Sequence, residues 1–266
     1  MAGISYTNIL LAVLFAAGIA YLSFKHKFLT NSGIISSCIF AIVLFGFGSW
    51  KWSIPIITFF FTSSVLTNIR NRTSKISDEK IKSLGRDYLQ VLSNGIIPLS
   101  LFIIYIFTEI EIIYLLFCSS VAAVTADTWG TEIGGLRQNN TVSIISFKKV
   151  EQGTSGGVSI MGTLASLLGA FILGFVSLIW IKNNILDFLI IITLSGFFGS
   201  LVDSILGATM QAKYVCSICG KSIELKEHCN TASEKVKGLS FVDNNFVNLA
   251  ASFSGCLFSY FFWIIK

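Results

Sequence analysis

The chain has 266 residues, of which 53% are hydrophobic and only 12% charged, with a mean hydropathy of +0.76 and a net charge of +5. Soluble globular domains carry about 25% charged residues, so the composition excludes that class and predicts an all-α, polytopic membrane protein. The positive balance does not point to nucleic acid, because no basic, aromatic-interleaved soluble stretch accompanies it.

Apolar runs predict about eight transmembrane helices in a single integral membrane domain over 1–266, roughly at 7–24, 33–50, 54–67, 92–107, 112–126, 158–181, 185–206 and 246–265. A crossing needs about 20 mostly apolar residues. The third and fifth runs are short, which leaves seven or nine crossings open. The first run has neither a preceding positive charge nor a following small-residue cleavage pattern, and reads as a retained helix. Sixteen of the nineteen Lys and Arg fall in the connections 25–31, 68–91, 127–157 and 207–245. Positive residues favour the cytoplasmic side, so these loops are expected to be cytoplasmic, with both termini outside, in a multi-pass protein of the cell membrane.

Thr62, Ser63, Ser64 and Thr67 cluster late in the third run. Hydroxyls bonding their own helix backbone account for them, and no role is assigned. In the next loop, Arg86 precedes Asp87, Gln90 and Asn94, which share one helical face as they pass into an apolar helix. Such a stripe either bonds a neighbouring helix or lines a site. Glu109 and Glu111 read as a solvated outer turn.

The fifth run closes with Ala126-Asp127-Thr128-Trp129-Gly130-Thr131-Glu132-Ile133-Gly134. An acid at bilayer depth costs about 2.5–3.5 kcal/mol on insertion scales, so Asp127 and Glu132 are read as functional. Carboxylates and hydroxyls together suit Mg²⁺, which takes oxygen ligands and shares its shell with substrate phosphates. Lys148 and Lys149 could neutralise phosphate or simply snorkel. Gly153-Thr154-Ser155-Gly156-Gly157-Val158-Ser159 leads into the sixth run. Glycine-rich backbone at a helix N-terminus can cradle phosphate, although no Walker A lysine follows and a flexible loop entry is the alternative. A second acidic motif, Val202-Asp203-Ser204-Ile205-Leu206-Gly207, closes the seventh run, with Asp203, Gly207 and Gln211 on one face.

The loop at 212–240 contains Cys216, Cys219, His228 and Cys229, a spacing that suits a small structural zinc knuckle, with free thiols as the alternative. Cys38, Cys118 and Cys256 read as core. Asp243 can cap the last helix, which Asn244 and Asn248 enter one turn apart. The tryptophans read as an interfacial belt.

Together, Gln90 to Gly95, Ala126 to Gly134, Gly153 to Ser159 with Gly162, Gly199 to Gln211, and Asp243-Asn244 with Val247-Asn248 resemble the integral-membrane family of plant and cyanobacterial phytyl-phosphate kinases and animal transmembrane protein 19, long classed as a domain of unknown function. The resemblance spans nearly the whole chain. Gly130 and Ser93 depart from it, each where alanine is usual. It implies phosphoryl transfer from a nucleoside triphosphate, CTP by preference, to an isoprenyl monophosphate such as phytyl or geranylgeranyl phosphate. On that reading Asp127, Glu132 and Asp203 are the catalytic acids, with Asp127 and Asp203 holding Mg²⁺. Arg86, Gln90, Asn94, Thr128, Thr131, Lys148, Gly153, Thr154, Ser155, Gly156, Gly157, Ser204, Gln211, Asn244 and Asn248 would bind or position phosphate. The rival class is a lipid or ion transporter or flippase, which also uses intramembrane acids and small-residue helices. Clustering of the polar groups at one set of helix ends favours the enzyme.

Overall fold

The computed structural model describes residues 6–73, 85–136 and 140–265. Parts of the 68–91 and 127–157 loops therefore lie outside the described residues. Seven helices are long and apolar enough to cross a membrane among them. They are α1 (Tyr6–His26), α2 (Asn31–Thr73), α3 (Tyr88–Thr108), α4 (Ile112–Gly134), α5 (Ile160–Ser177), α6 (Ile185–Thr209) and α7 (Asn244–Ile265).

The count is seven because the second and third apolar runs meet at a kink with no loop between them and are numbered together as α2. At 43 residues, and about 1.5 Å rise each, α2 would be more than twice the roughly 30 Å hydrocarbon thickness if straight. It is not straight. Ser49 has φ 61° and ψ −167°, outside helical geometry. Ahead of it, Gly33 backs on the Arg86 carbonyl, Phe40 on Gly95 and Gly48 on Phe102, so the first arm runs beside α3. Beyond it, Trp52 meets Tyr114, Thr62 meets Trp129 and Arg70 meets Glu132, so the second arm runs beside α4. Since α3 and α4 are joined by the short turn 109–111, the two arms of α2 are antiparallel. Ser53 Oγ donates to the Ser49 carbonyl at 3.0 Å and stabilises the bend.

The interior is organised on α4. Residues from Ile113 to Ala126 are buried along the whole helix, and α2, α3, α5, α6 and α7 all pack on it. Small side chains allow this. A Cβ built on Gly196 of α6 would lie 2.7 Å from the Ala122 Cβ, and one on Gly255 of α7 would lie 2.7 Å from the Ser119 carbonyl oxygen. Close backbone approach of this kind is how helices associate where burial from water supplies no drive. At the other end of the core, Trp52 is buried against Phe102, Tyr105, Tyr114 and Phe117. Trp52 is thus a packing residue, and the expectation of an interfacial belt does not hold for it.

Caps fix where the helices start. Asp87 Oδ1 accepts from the Gln90 N–H at 2.9 Å, Ser159 Oγ from the Gly162 N–H at 3.1 Å, and Asp243 Oδ1 from the Phe246 N–H at 2.9 Å. All three caps lie at one end of the bundle, where the non-helical chain also gathers. There β1 (Val142–Ser143) pairs antiparallel with β2 (Gly157–Val158). Residues 212–240, read as a loop, carry short strands: β3 (Lys213–Val215) lies between β4 (Ser222–Ile223) and β7 (Glu234–Lys237), and β5 (Glu227–His228) pairs with β6 (Thr231–Ala232).

Candidate functional site

Asp127 belongs to the last two turns of α4 and Asp203 to the last two turns of α6. Because these helices pack closely and run the same way, the two acids meet, carboxyl against carboxyl. Asp203 Oδ2 is buried and has no hydrogen-bond partner among the described residues. Two carboxylates in contact repel unless a cation bridges them or one keeps a proton. The donor set, oxygen only and hard, is what Mg²⁺ takes.

These acids lie in a polar cleft with about 1500 Å³ of empty space, its open mouth included. Gln90, Asn94, Thr128, Thr131, Ser204, Gln211, Asn244 and Asn248 all line it. Thr128 also bonds the Val124 carbonyl at 2.8 Å. Gln211 is 3% exposed, and its Nε2 lacks a partner among the described residues. Buried amide donors normally find an acceptor, so Gln211 is poised toward one.

Glu132 also lines the cleft but is held differently. Thr67 Oγ1 donates to its Oε1 at 2.7 Å, and Arg70 Nη1 lies 3.4 Å from its Oε2. Glu132 is an anchored partner of the second arm of α2, whereas Asp127 and Asp203 face each other. Thr67, given no role from sequence, has its one hydroxyl proton within reach of this acid and of the Ser63 carbonyl, with the acid the nearer at 2.7 Å against 3.0 Å. Thr62 likewise accepts from Trp129 Nε1 at 3.1 Å. Trp129 packs on Gly169 of α5, so it too supports the cleft wall and is not part of a belt.

The 153–157 segment lines the cleft but is not a loose loop. Gly153 and Gly156 have φ +86° and +74°, which only glycine adopts freely. The Gly157 N–H closes a turn on the Thr154 carbonyl at 2.8 Å, and Gly157 and Val158 pair with β1. Gly156 lies against the Ala208 backbone, leaving no room for a side chain. The segment thus ties α5 to the end of α6. Ser159, Gly162 and Ser166 present the N-terminal end of α5 to the cleft, where the helix dipole favours an anion. Gly130, where the resemblance has alanine, faces Ser166 Oγ, so a methyl group there would force that side chain aside.

Arg86 is fixed by its backbone, which bridges to the stretch before α2: Thr30 N–H donates to its carbonyl at 3.1 Å, and its N–H donates to the Phe28 carbonyl at 3.0 Å. Its guanidinium sits 5.7 Å from the Phe59 ring centroid. Burial lowers its pKa from the ordinary value, and Glu132 opposes that shift. Lys148 stands apart from this group. It lies on an exposed turn ahead of β2, and is not among the cleft-lining residues.

Sequence reasoning missed Arg70, Ser166 and Glu224, all in the lining. Arg70 was absorbed into the positive-inside bias, although it stands three residues beyond Thr67 on the same helix face. Glu224 follows β4, and Ser155 Oγ donates to its Oε1. Lys213 Nζ reaches the Ser155 carbonyl at 3.4 Å. The strands of 212–240 therefore press on the glycine segment.

Those strands also gather Cys216, Cys219, His228 and Cys229, whose ligand atoms all lie within 4.8 Å of one another. Sγ of Cys219 and Cys229 stand 3.4 and 3.2 Å from His228 Nδ1. A tetrahedral zinc with about 2.3 Å bonds to sulfur needs ligand separations of about 3.8 Å, so the four groups can close on one ion. Gly220, at φ +67°, lets its N–H fold back to the Cys216 carbonyl at 2.9 Å. Among the cysteines read as core, Cys118 is fully buried, and Cys38 and Cys256 are partly so.

Residues 14–256 match the family described as Integral membrane protein DUF92. The chain belongs to this family. Protein PGR of Arabidopsis thaliana is 32% identical over 269 residues, covering 92% of each chain. Uncharacterized membrane protein MJ0933 of Methanocaldococcus jannaschii is 30% identical over 234 residues, 87% of this chain and 92% of its own. Uncharacterized membrane protein sll0875 of Synechocystis is 26% identical over 196 residues. No solved structure matches the chain. Membership in the family agrees with a multi-pass protein, and its matched region contains both acidic motifs, the glycine segment and the Cys/His cluster.

Proposed function

We propose that this DUF92 protein is a membrane phosphotransferase that moves the terminal phosphoryl group of a nucleoside triphosphate, CTP by preference, onto an isoprenyl monophosphate such as phytyl or geranylgeranyl phosphate. The observation that carries the reading is the facing pair Asp127 and Asp203 in a polar cleft that also holds Arg70, Arg86 and the N-terminal end of α5. Phosphoryl transfer asks for positioning and charge neutralisation more than covalent catalysis.

An oxygen of the lipid monophosphate attacks the γ-phosphorus. A new P–O bond forms, the bond from that phosphorus to the β–γ bridging oxygen breaks, and the nucleoside diphosphate leaves. The nucleophile is already anionic and needs no base. Asp127 and Asp203 would hold Mg²⁺, which when bound draws charge from the phosphate oxygens. Arg86 would bind the lipid phosphate. Arg70 and Thr67 keep Glu132 turned to the cleft wall, and Gln90, Asn94, Asn244 and Asn248 orient the phosphates. The Cys/His cluster would hold a structural zinc, which keeps Glu224 on Ser155. The cleft end would face the cytoplasm, because sixteen of nineteen Lys and Arg lie in the connections at that end.

The test uses purified protein in detergent with Mg²⁺, labelled CTP or ATP, and phytyl or geranylgeranyl monophosphate. Lipid diphosphate formation is expected. If no nucleotide and no prenyl chain gives it, while reconstituted vesicles move a lipid or an ion, the transporter replaces the kinase.

A further inference from the structure

Behind Arg86 the polar cleft borders a second space. Arg86, Gln90 and Asn94 also line a second cavity, with about 790 Å³ of empty space counting its openings, enclosed by α1, both arms of α2 and α3. Away from those three residues this slot is almost wholly apolar. Phe40, Phe59 and Phe60 wall it, and Leu44, Phe45 and Ser53 place its far end beside the bend at Ser49. A third space, an apolar groove of about 1360 Å³ by the same measure, runs between α1 and the second arm of α2. Groove and slot share Phe15, Ile19, Ile57 and Phe60. At its cleft-side end the groove carries His26, Asn68 and Arg72. The three spaces therefore adjoin, and each boundary is made by named side chains.

The geometry points to a sideways path for a phosphate-headed lipid: it leaves the bilayer between α1 and the second arm of α2, and seats its hydrocarbon tail in the slot with its phosphate on Arg86. The inference rests on the phosphate-lipid reading of the cleft and adds where the tail goes and how it arrives. Three features support it. The polarity is sorted along the path, with cations at the head-group end (Arg72, then Arg86) and mostly hydrocarbon lining beyond them, Ser37 and Ser53 excepted, which matches a single-tailed anionic amphiphile. The guanidinium of Arg86 is held between an aromatic ring, Phe59, and the polar cleft, so it sits at the junction of tail and head. Finally, α1 packs mainly on α2, and Phe28 meets Phe60 edge-on across the groove, their centroids 6.3 Å apart. Parting these contacts opens the slot without disturbing α4 or the acids.

Two plugs test the path. A Cβ added to Gly18, which lines the groove, meets no atom within 4 Å, so Gly18→Trp can fill the groove without backbone strain. Ala41→Phe fills the slot. Full-length protein is incubated with a geranylgeranyl monophosphate carrying a diazirine at its tail end, irradiated and digested. Label is expected on peptides containing Phe40 to Ser53, with labelling reduced roughly tenfold by either plug, an overpacking effect of the usual size, and restored by Gly18→Ala. Size-exclusion profiles and melting curves of the plugs establish that they fold. Label confined to α5, α6 or α7, or label at the slot that both folded plugs leave unchanged, overturns the path. Equal labelling by the diazirine-bearing prenyl alcohol, which lacks the phosphate, overturns the role of Arg86 in it. Labelling needs no turnover, so slot labelling in a protein that makes no diphosphate would sink the kinase and leave the path standing.

Discussion

The two halves of the bundle are built on opposite principles. Around α4, helices α5, α6 and α7 approach through glycine, alanine and serine until backbones nearly touch, as at Gly196–Ala122 and Gly255–Ser119. Around α1, α2 and α3, large aromatic side chains line cavities left between the helices. Both halves are equally apolar in composition, so hydrophobicity does not distinguish them. The difference lies in side-chain size. The tight half brings two acids face to face, and the loose half leaves space lined by hydrocarbon.

The comparison can be broken most severely at the acids. Asp203→Asn and Asp127→Asn should each lower diphosphate formation by at least about a hundredfold, the usual cost of losing a transition-state charge partner, while the protein remains folded by size exclusion and circular dichroism; unaltered rates would remove the pair from the site. Packing comes next. Gly196→Leu should destabilise the tight half by about 1–3 kcal/mol, read as a lower melting temperature, whereas Gly18→Leu in the loose half should leave it nearly unchanged. Equal shifts would erase the distinction. Replacing Cys216 and Cys219 with serine should abolish bound zinc in elemental analysis; purified wild-type protein without metal, and with Cys216 freely alkylated, would refute the knuckle. A double-mutant cycle on Arg70→Met and Glu132→Gln should give a coupling of about 1 kcal/mol, because the pair is only partly shielded, with side chains 25% and 12% exposed. Smallest of all, Lys148→Ala should keep turnover within about twofold, as exposed sites usually do.

Legibility from sequence followed the range of the forces involved. Apolar run lengths located every helix, because crossing a bilayer is a demand each segment meets alone. They could not show that the chain reverses at a single residue between the second and third runs, since nothing in Gly46 to Trp52 carries a turn signal of the Asn-Gly or Pro-Gly kind. Polar residues at helix ends identified most of the cleft, because a buried acid is costly wherever the chain puts it. The roles of Glu132 and Thr67 were not readable: their partnership joins positions on two helices, and only packing brings them within 2.7 Å. Arg70 was hidden by its company, one cation among several in a basic stretch. The glycine segment reads from sequence as a phosphate cradle or a flexible loop entry, and the extra fact supplied by the fold is Ala208, which presses on Gly156.

The reversal at Ser49 has a consequence for how relatives of this protein could diversify. A bend of a single residue contains no surplus chain, so the blind end of the aromatic chamber sits at a depth set by covalent structure. Lengthening either arm by one helical turn would slide about 5.4 Å of wall past its neighbours and misalign every contact from Phe40–Gly95 to Thr62–Trp129. Tolerance for bulkier cargo would therefore come from trimming the floor residues Leu44 and Phe45, and tolerance for shorter cargo from enlarging Ala41, with the backbone left as a fixed gauge.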